Sequence, residues 1–527
     1  MSRFTYTELQ GGHPIWLLKF TWMGKSWYFS TRPVAPLDGG VAVPHNGQLA
    51  NISLDASFEL LSEAPSEQTA SIEISLGVDV GALISEGHDL HTANAELSLW
   101  VEGLTYDRRQ VMLMGRVQNP TYGAAHEPIT FAIEQRIWDD RSLILSEAAQ
   151  VTPETWASHD GEAENRYYPL VMGQPGRYSA AVDSAAISTT PSTPALYVNT
   201  SAKTLLIAGH RVAASTIRIY DTSEDPVLIE DFSITHTTDG LGRTVAVVDI
   251  SGGSTVTGQI GHKYWAAWSH GPAFTLDGTN GLTGAGDILE HFLARTTTGI
   301  DLGRCAAATP HLNGLQLAFY VDEQSSVYQW LLDNMLPLLP ISMIQSTQGI
   351  YPVVWHPNPQ PETQVVETLT AGVGMFRASQ VTYVGEVVNY MSIAYAIDGP
   401  SNEALRTITL GPKTDEAMGV TYIENIGATI SASRYNIKAA APLSTDLLYG
   451  DADALWVLNW QMLAHAFPHR EIQYDADPLM AWVEPGAVVK LNDSDLGLTS
   501  QLAIWVPAWD DLRLIGRFML YDNPVIF

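Results

Sequence analysis

Apolar and polar residues alternate in short runs at both ends of this 527-residue chain, and that period-two spacing constrains the fold more than any other feature. Successive side chains of an extended strand point to opposite faces, so such a run buries one face and wets the other. Near the N-terminus the runs are WLLKFTW, SWYFST, SIEISLG, AELSLWVEG, QVMLMGRV and ITFAIEQ, enough strands for a small barrel or sandwich. Alternation resumes after residue 361 in VTYVGEVVNYMSIAYAI and LRTITL, and closes the chain in REIQYD, AVVKLN, QLAIWV and LRLIGRFMLY.

Between these ends the character changes twice. From about residue 141 to 280 the chain is rich in Thr, Ser, Gly and Pro, with short strands such as TLLIAG, IRIYD and TVAVVDIS. A looser β-domain is expected there. From Gly281 the period becomes helical: Asp287 is placed to cap ILEHFLAR, and a second helix should start near Ser326 and end by Met335, because Pro337 constrains what precedes it. GLQLAFYVD before that helix and GIYPVVW after it read as strands completing a small α/β unit. A helix over 452–467 should turn Leu455, Leu458, Met462 and Leu463 inward, and VDVGALISEG allows a two-turn helix within the first unit. The expected organisation is mainly β with an inserted α/β domain, divided at 1–137, 138–280, 281–361 and 362–527.

Composition removes several functions. Twenty-seven Lys and Arg against 57 Asp and Glu give a formal charge of −30, which repels nucleic-acid backbones and anionic lipid surfaces. A single cysteine, Cys305, excludes an internal disulfide and any cysteine metal cluster; its setting, GRCAAATPHL, is that of a small buried helical residue. No apolar run of signal-peptide length precedes Gly11, so synthesis in the cytosol is expected. The stretch from Leu331 to Pro361 carries no charge after Asp333, but Pro337, Pro340, Gly349 and Pro352 break it too often for a helix to cross a bilayer. It reads as the centre of the α/β unit, with a hairpin turn at QSTQ.

The groupings that could carry chemistry have structural explanations. Asp139–Asp140 and Asp510–Asp511 supply adjacent carboxylates, yet neighbours on a strand face opposite ways and neighbours in a turn face water. His465 and His469 have the spacing of a helical metal pair, but Pro468 intervenes, so His469 should lie beyond the helix. GTNGLTGAGD opens a helix as phosphate loops do, but without their Lys-Ser/Thr and with an Asp that repels phosphate. Lys25 follows Gly24 in an accidental P-loop echo inside a hairpin. Fifteen tryptophans and 21 tyrosines could line a sugar groove or simply fill cores. No catalytic, cofactor-binding or metal-ligating residue is assigned, and no cofactor is expected.

Three segments together, and a fourth more generally, resemble the central tail-hub proteins of long non-contractile-tailed bacteriophages and gene transfer agents. They are SLGVDVGALISEGHDLHTANAELSLWVEG with RRQVMLMGRVQNPTYG; RYYPLVMGQPG at 166–176; ILEHFLARTTTGIDLGR with YQWLLDNMLPLLPISMIQSTQGIYPVVW; and the C-terminal SASRYNIKAAAPL, ALWVLNWQMLAHAF, VEPGAVVKLND and GLTSQLAIWV. The last also resembles the contractile-phage baseplate hub, and its Pro485-Gly486 suits a type II turn. The resemblance implies two tube-like β-barrels per chain and a homotrimer presenting six such units around a DNA exit channel. It further implies a place in the virion between a distal tail ring protein, a tape-measure protein and tail fibre or receptor-binding proteins, with no enzymatic activity. No peptidase, lysozyme-like or fibre segment follows Phe527 in this sequence, so those activities would belong to partners. The acids could then line the channel and repel passing DNA, or solubilise an outer surface. The competing classes are a virion-associated glycoside hydrolase and a carbohydrate-binding adhesion protein.

Overall fold

The computed structural model describes residues 12–521 except 23–24, 58–68, 76–89, 92, 123–126, 136–141, 181–185, 213–215, 225, 230–233, 252–259, 271–280, 297–298, 347–348, 357–360, 383–386 and 415–420. The expected helix in VDVGALISEG and the pair Asp139–Asp140 lie outside the described residues.

Seven strands form from the N-terminal alternation: β1 (Pro14–Trp22), β2 (Lys25–Ser30), β3 (Leu49–Ser57), β4 (Thr69–Ile74), β5 (Asn94–Val101), β6 (Gln110–Tyr122) and β7 (Ile129–Gln135), in the order β2-β1-β5-β6-β7-β4-β3. Every pairing among them is antiparallel. The pattern decides the faces: on β4, Ala70, Ile72 and Ile74 are buried while Thr69 and Ser71 are exposed. From Ile15 to Leu18 β1 is apolar on both faces, and both are covered. Trp16, Leu18 and Phe20 enter the main core of the sheet, whereas Ile15 and Leu17 pack with Trp100 and Tyr106 beneath the loop that holds Val34 and Val43.

The middle β-domain is a seven-stranded antiparallel sheet. Its strands are β8 (Thr193–Asn199), β9 (Thr204–Ala208), β10 (Thr216–Asp221), β11 (Val227–Ile229), β12 (Ile234–Thr238), β13 (Thr244–Asp249) and β14 (Tyr264–His270), ordered β11-β10-β14-β8-β9-β13-β12. It is reached through the short strand Leu170–Met172, whose residues serve two cores at once. Leu170 and Met172 join the core of the helical region, and Val171 joins that of the seven-stranded sheet.

The helical region holds α1 (Ala285–Leu293) and α2 (Leu302–Leu312), then the hairpin β15 (Ile341–Ser346) and β16 (Gly349–Val354). Three expectations change here. Gly284, not Asp287, is the N-cap of α1; Asp287 lies within the first turn, where its carboxylate accepts from Asn313 Nδ2 at 3.0 Å. The strand in GLQLAFYVD is only Phe319–Val321, and it pairs with Leu170–Met172, outside the unit it was expected to complete. The helix capped by Ser326 does not stop at Met335. It widens into a π-turn over Leu331–Met335 and tightens into a 3-10 turn over Leu336–Leu338, so Pro337 falls in a first turn where its missing N–H is not needed.

Towards the C-terminus come β17 (Val365–Thr370), β18 (Met375–Thr382), β19 (Met391–Asp398), β20 (Glu403–Gly411), α3 (Ile426–Tyr435), α4 (Asp451–His465), β21 (Arg470–Ala476), β22 (Val488–Asp493), β23 (Leu498–Asp511) and β24 (Arg513–Leu520). α4 buries Ala454, Val457, Leu458 and Met462, while Leu455 and Leu463 are only half-buried. The buried face is therefore turned by part of a residue spacing from the expected one, towards Ala454 and Val457. Its core is shared with α1, α2 and β19. The remaining strands β17, β18 and β21–β24 join the sheet of the N-terminal strands.

The turn at Pro485-Gly486 joins two of these regions. Gly486 has φ +78°, a conformation that L side chains rarely adopt, and a Cβ there would stand 2.2 Å from Val353 Cγ1 on β16. Gly486→Ala should cost about 2–4 kcal/mol, strain and overpacking combined. Gly39→Ala, at φ +55° with nothing within 4 Å, should cost about 1 kcal/mol. Comparing urea unfolding midpoints of the two variants checks this; equal losses would remove the packing part of the account.

Candidate interaction surfaces

The N-terminal and C-terminal strand sets are parts of one sheet. β3 pairs antiparallel with β23 through Leu54↔Asp511, Asp55↔Asp510, Ala56↔Trp509 and Ser57↔Ala508. From β23 the order continues β24-β21-β18, with β22 also on β23 and β17 parallel to β22, giving thirteen strands. A common core backs the junction: Trp16, Ile52, Leu54 and Ile72 from one end of the chain pack with Tyr474, Val489, Trp505 and Phe518 from the other. Trp16 meets Trp509 edge to face, ring centroids 5.4 Å apart, and Trp482 Nε1 donates to the Arg108 carbonyl at 3.2 Å.

Directly paired residues on neighbouring strands project from the same face, so the register identifies what the solvent side presents. One row runs Ser26, Thr21, Asn94, Arg116, Glu134, Thr69, Asp55, Asp510 and Arg513. A second contains Asn51, Glu73, Thr130 and Thr121. Both are wholly polar. The first row's three carboxylates are nearly balanced by two guanidiniums, so the chain's large negative charge is not concentrated there.

Among the described residues the sheet ends in unpaired edges. Asn46 covers part of β2, since Ser30 N–H donates to its carbonyl at 2.8 Å, but no described segment pairs with Lys25–Trp27 on the outer side. At the other end β18 pairs, among the described strands, only with β21, and Phe376 on it is 53% exposed. Unpaired strand edges are templates for another chain.

The residues considered for chemistry are dispersed. Asp510 and Asp511 sit at the β23–β24 hairpin, both exposed, with Asp511 at φ +60°. His465 ends α4 and His469 lies beyond it, its ring nitrogen on the Ala464 carbonyl. Burial, aided by His469, lowers the His465 pKa to about 4. Cys305 is buried in α2, and burial raises its thiol pKa to about 12, the opposite of a reactive thiolate. No group of three or more His, Cys, Asp or Glu among the described residues could hold a metal ion. No described helix is long and apolar enough to cross a membrane.

A groove that sequence reasoning missed lies where α2, α4, the β15–β16 hairpin and the Pro485-Gly486 turn meet. Two adjoining cavities of about 270 and 250 Å³ share His311, Val354 and His356. One end is lined by Trp355, Trp456 and Trp460; the other holds Arg304, which pairs with Glu484 and lies 4.2 Å over the Tyr351 ring. The ring centroids of His311 and His356 are 4.7 Å apart, and burial first, then His311, depresses the His356 pKa. These residues lie up to about 180 positions apart, so only a recognised fold could have joined them.

Asp55 opposite Asp510 is a like-charge pair on the strand junction, and Arg513, the other neighbour of Asp510, is engaged by Asp475. Asp55→Asn should therefore stabilise the protein by about 0.2–1 kcal/mol at low salt, with the gain shrinking as salt is added. Chemical denaturation at two ionic strengths measures it; a loss of stability would mean that the carboxylate is held favourably.

No protein-family model matches the chain, and no curated protein matches it in sequence. Solved structures resemble it over most of its length. A tail protein from Neisseria meningitidis MC58 shares 8% identity over 96% of each chain at a TM-score of 0.31. The prophage MuSo2 43 kDa tail protein from Shewanella oneidensis shares 11%, covering 96% of this chain and 98% of its own, at 0.32. A chain of the virion of a native gene transfer agent particle shares 12%, covering 72% of this chain and 90% of its own, at 0.36. At these identities and scores no role is transferred to any residue.

Proposed function

We propose that this chain is a non-enzymatic structural protein of a phage or gene-transfer-agent tail, the central hub that connects the tail tube to the host-recognition apparatus. The observation that carries the reading is the junction of β3 with β23, which presents two strand sets from one chain as one continuous wall. Edges at β2 and β18 lie at opposite ends of that wall. Different surfaces meeting head to tail form a ring when the rotation closes. Three copies would then present six strand sets, a surface able to meet hexameric tail rings.

In this arrangement the polar face of the sheet lines the channel. Its small hydroxyls, amides and near-balanced charges give passing DNA neither a basic stripe to grip nor an apolar patch to stick to. The remaining acids keep the outside soluble. Adjacent proteins would be a distal tail ring, a tape-measure protein, and fibre or receptor-binding proteins; the place of action is the virion.

Mass photometry of the purified chain and microscopy of tail tips test the ring. Phe376→Asp, which puts a charge on the exposed β18 edge, should lower the trimer fraction about tenfold while leaving the unfolding midpoint within about 0.5 kcal/mol. A wild-type chain that stays monomeric at high concentration, with no ring in tail tips, would sink the proposal.

The tryptophan-lined groove favours a second reading, a saccharide contact that serves adhesion, since aromatic faces stack on sugar rings and His and Asn side chains reach hydroxyls. A glycan array with wild type and Trp456→Ala should show binding that the variant loses about tenfold or more. No binding by the wild type rejects this reading without touching the hub.

A further inference from the structure

The seven-stranded sheet is fastened to the short strand Leu170–Met172 through one loop. Gly209 N–H donates to the Pro169 carbonyl at 2.8 Å, and Val171 N–H donates to His210 Nε2 at 3.0 Å. Nδ1 of the same ring lies 2.8 Å from the Arg211 carbonyl, an acceptor, so Nδ1 carries the proton and Nε2 offers its lone pair. The loop is itself braced by a second imidazole, because Val212 N–H donates to His236 Nε2 at 3.2 Å. Both bonds require a neutral ring. A proton on Nε2 removes the acceptor and sets two donors against each other.

We infer that His210, braced by His236, is an acid-released latch between the middle β-domain and the helical region. The strand it holds is where the two cores meet: Val171 is fully buried in one, and Leu170 and Met172 are buried in the other. A Val171 N–H without its partner is therefore buried and unsatisfied, and the whole contact is weakened rather than one surface bond. The titratable groups whose charge acts on His210 include His291 from α1 and His236 from β12, and Arg211, which meets His210 through its carbonyl, acts by charge on His236. Protonation thus adds charge to a basic neighbourhood.

Burial lowers the pKa of His210 to about 4, with His291 and His236 adding to it, and burial with Arg295 does the same for His291. For a base with a depressed folded-state pKa, the unfolded or opened form binds more protons once pH drops below the ordinary 6.5. The latch is fully held above that value and loosens as pH falls towards about 4.

Hydrogen exchange of the full chain, corrected for the intrinsic pH dependence, tests the latch on peptides covering 168–173 and 209–213. Between about pH 7 and pH 4.5 the wild type should lose about tenfold or more of its protection there, and peptides of the β1–β7 core should lose less. His210→Gln keeps an acceptor that does not titrate, so it should retain protection at 168–173 at the lower pH. Loss in the variant equal to that in wild type, or no loss in wild type, overturns the inference. If the variant does not fold, exchange of the imidazole C2 proton in wild type gives the His210 titration directly; a midpoint near 6.5 overturns it and one well below supports it.

Discussion

Four residue pairs between β3 and β23 determine what kind of object this chain is. Without them the N-terminal strands would form a sheet with an open edge at β3, and the C-terminal strands another with an open edge at β23. With them, thirteen strands share one hydrogen-bonded surface and one core. The rest follows from that closure. The middle domain and the helical region become excursions, one leaving the sheet after β7 and returning at β17, the other leaving after β18 and returning at β21. The middle domain has its own aliphatic and aromatic cluster, whereas the core of the helical region also takes in Ile504 and Val506 from β23 of the sheet.

The closure also explains a tolerance that would otherwise look like an error. Two carboxylates stand opposite each other at Asp55 and Asp510, a costly arrangement for a sheet. One residue away, Trp509 is buried against Trp16, and Leu54 is fully buried. Apolar burial of this size is worth several times the repulsion of two solvated charges. The junction is therefore held by what lies beneath it, and its surface is free to be polar.

Much of the β architecture was legible because alternation is a local signal. The strands around Ser71, Asn94 and Arg513 appear where the pattern puts them, and Asp510–Asp511 and His469 prove to be the turn and helix-end residues their neighbours imply. The signal failed where partners are distant. Nothing in FYV announces pairing with LVM some 150 residues earlier, and nothing in Asp287 shows that Asn313 will hold its carboxylate inside the helix. The groove of His311, His356 and three tryptophans was invisible for the same reason, since it is assembled from four separate elements. The register of β3 against β23 is the extreme case: both strands are obvious, and their being neighbours is not.

That neighbouring has a consequence in time. Asp510 is made 455 positions after Asp55, and at roughly 5–20 residues per second a ribosome needs about 20–90 s to cover that distance. Throughout that interval the β3 edge that will meet β23 is complete in sequence but has no partner. The polar and small residues exposed on β3, Ala50, Asn51, Ser53 and Asp55, make it a poor surface for premature association. The same residues that give the finished wall its hydrophilic face thus protect the unfinished one while it waits for its own C-terminus.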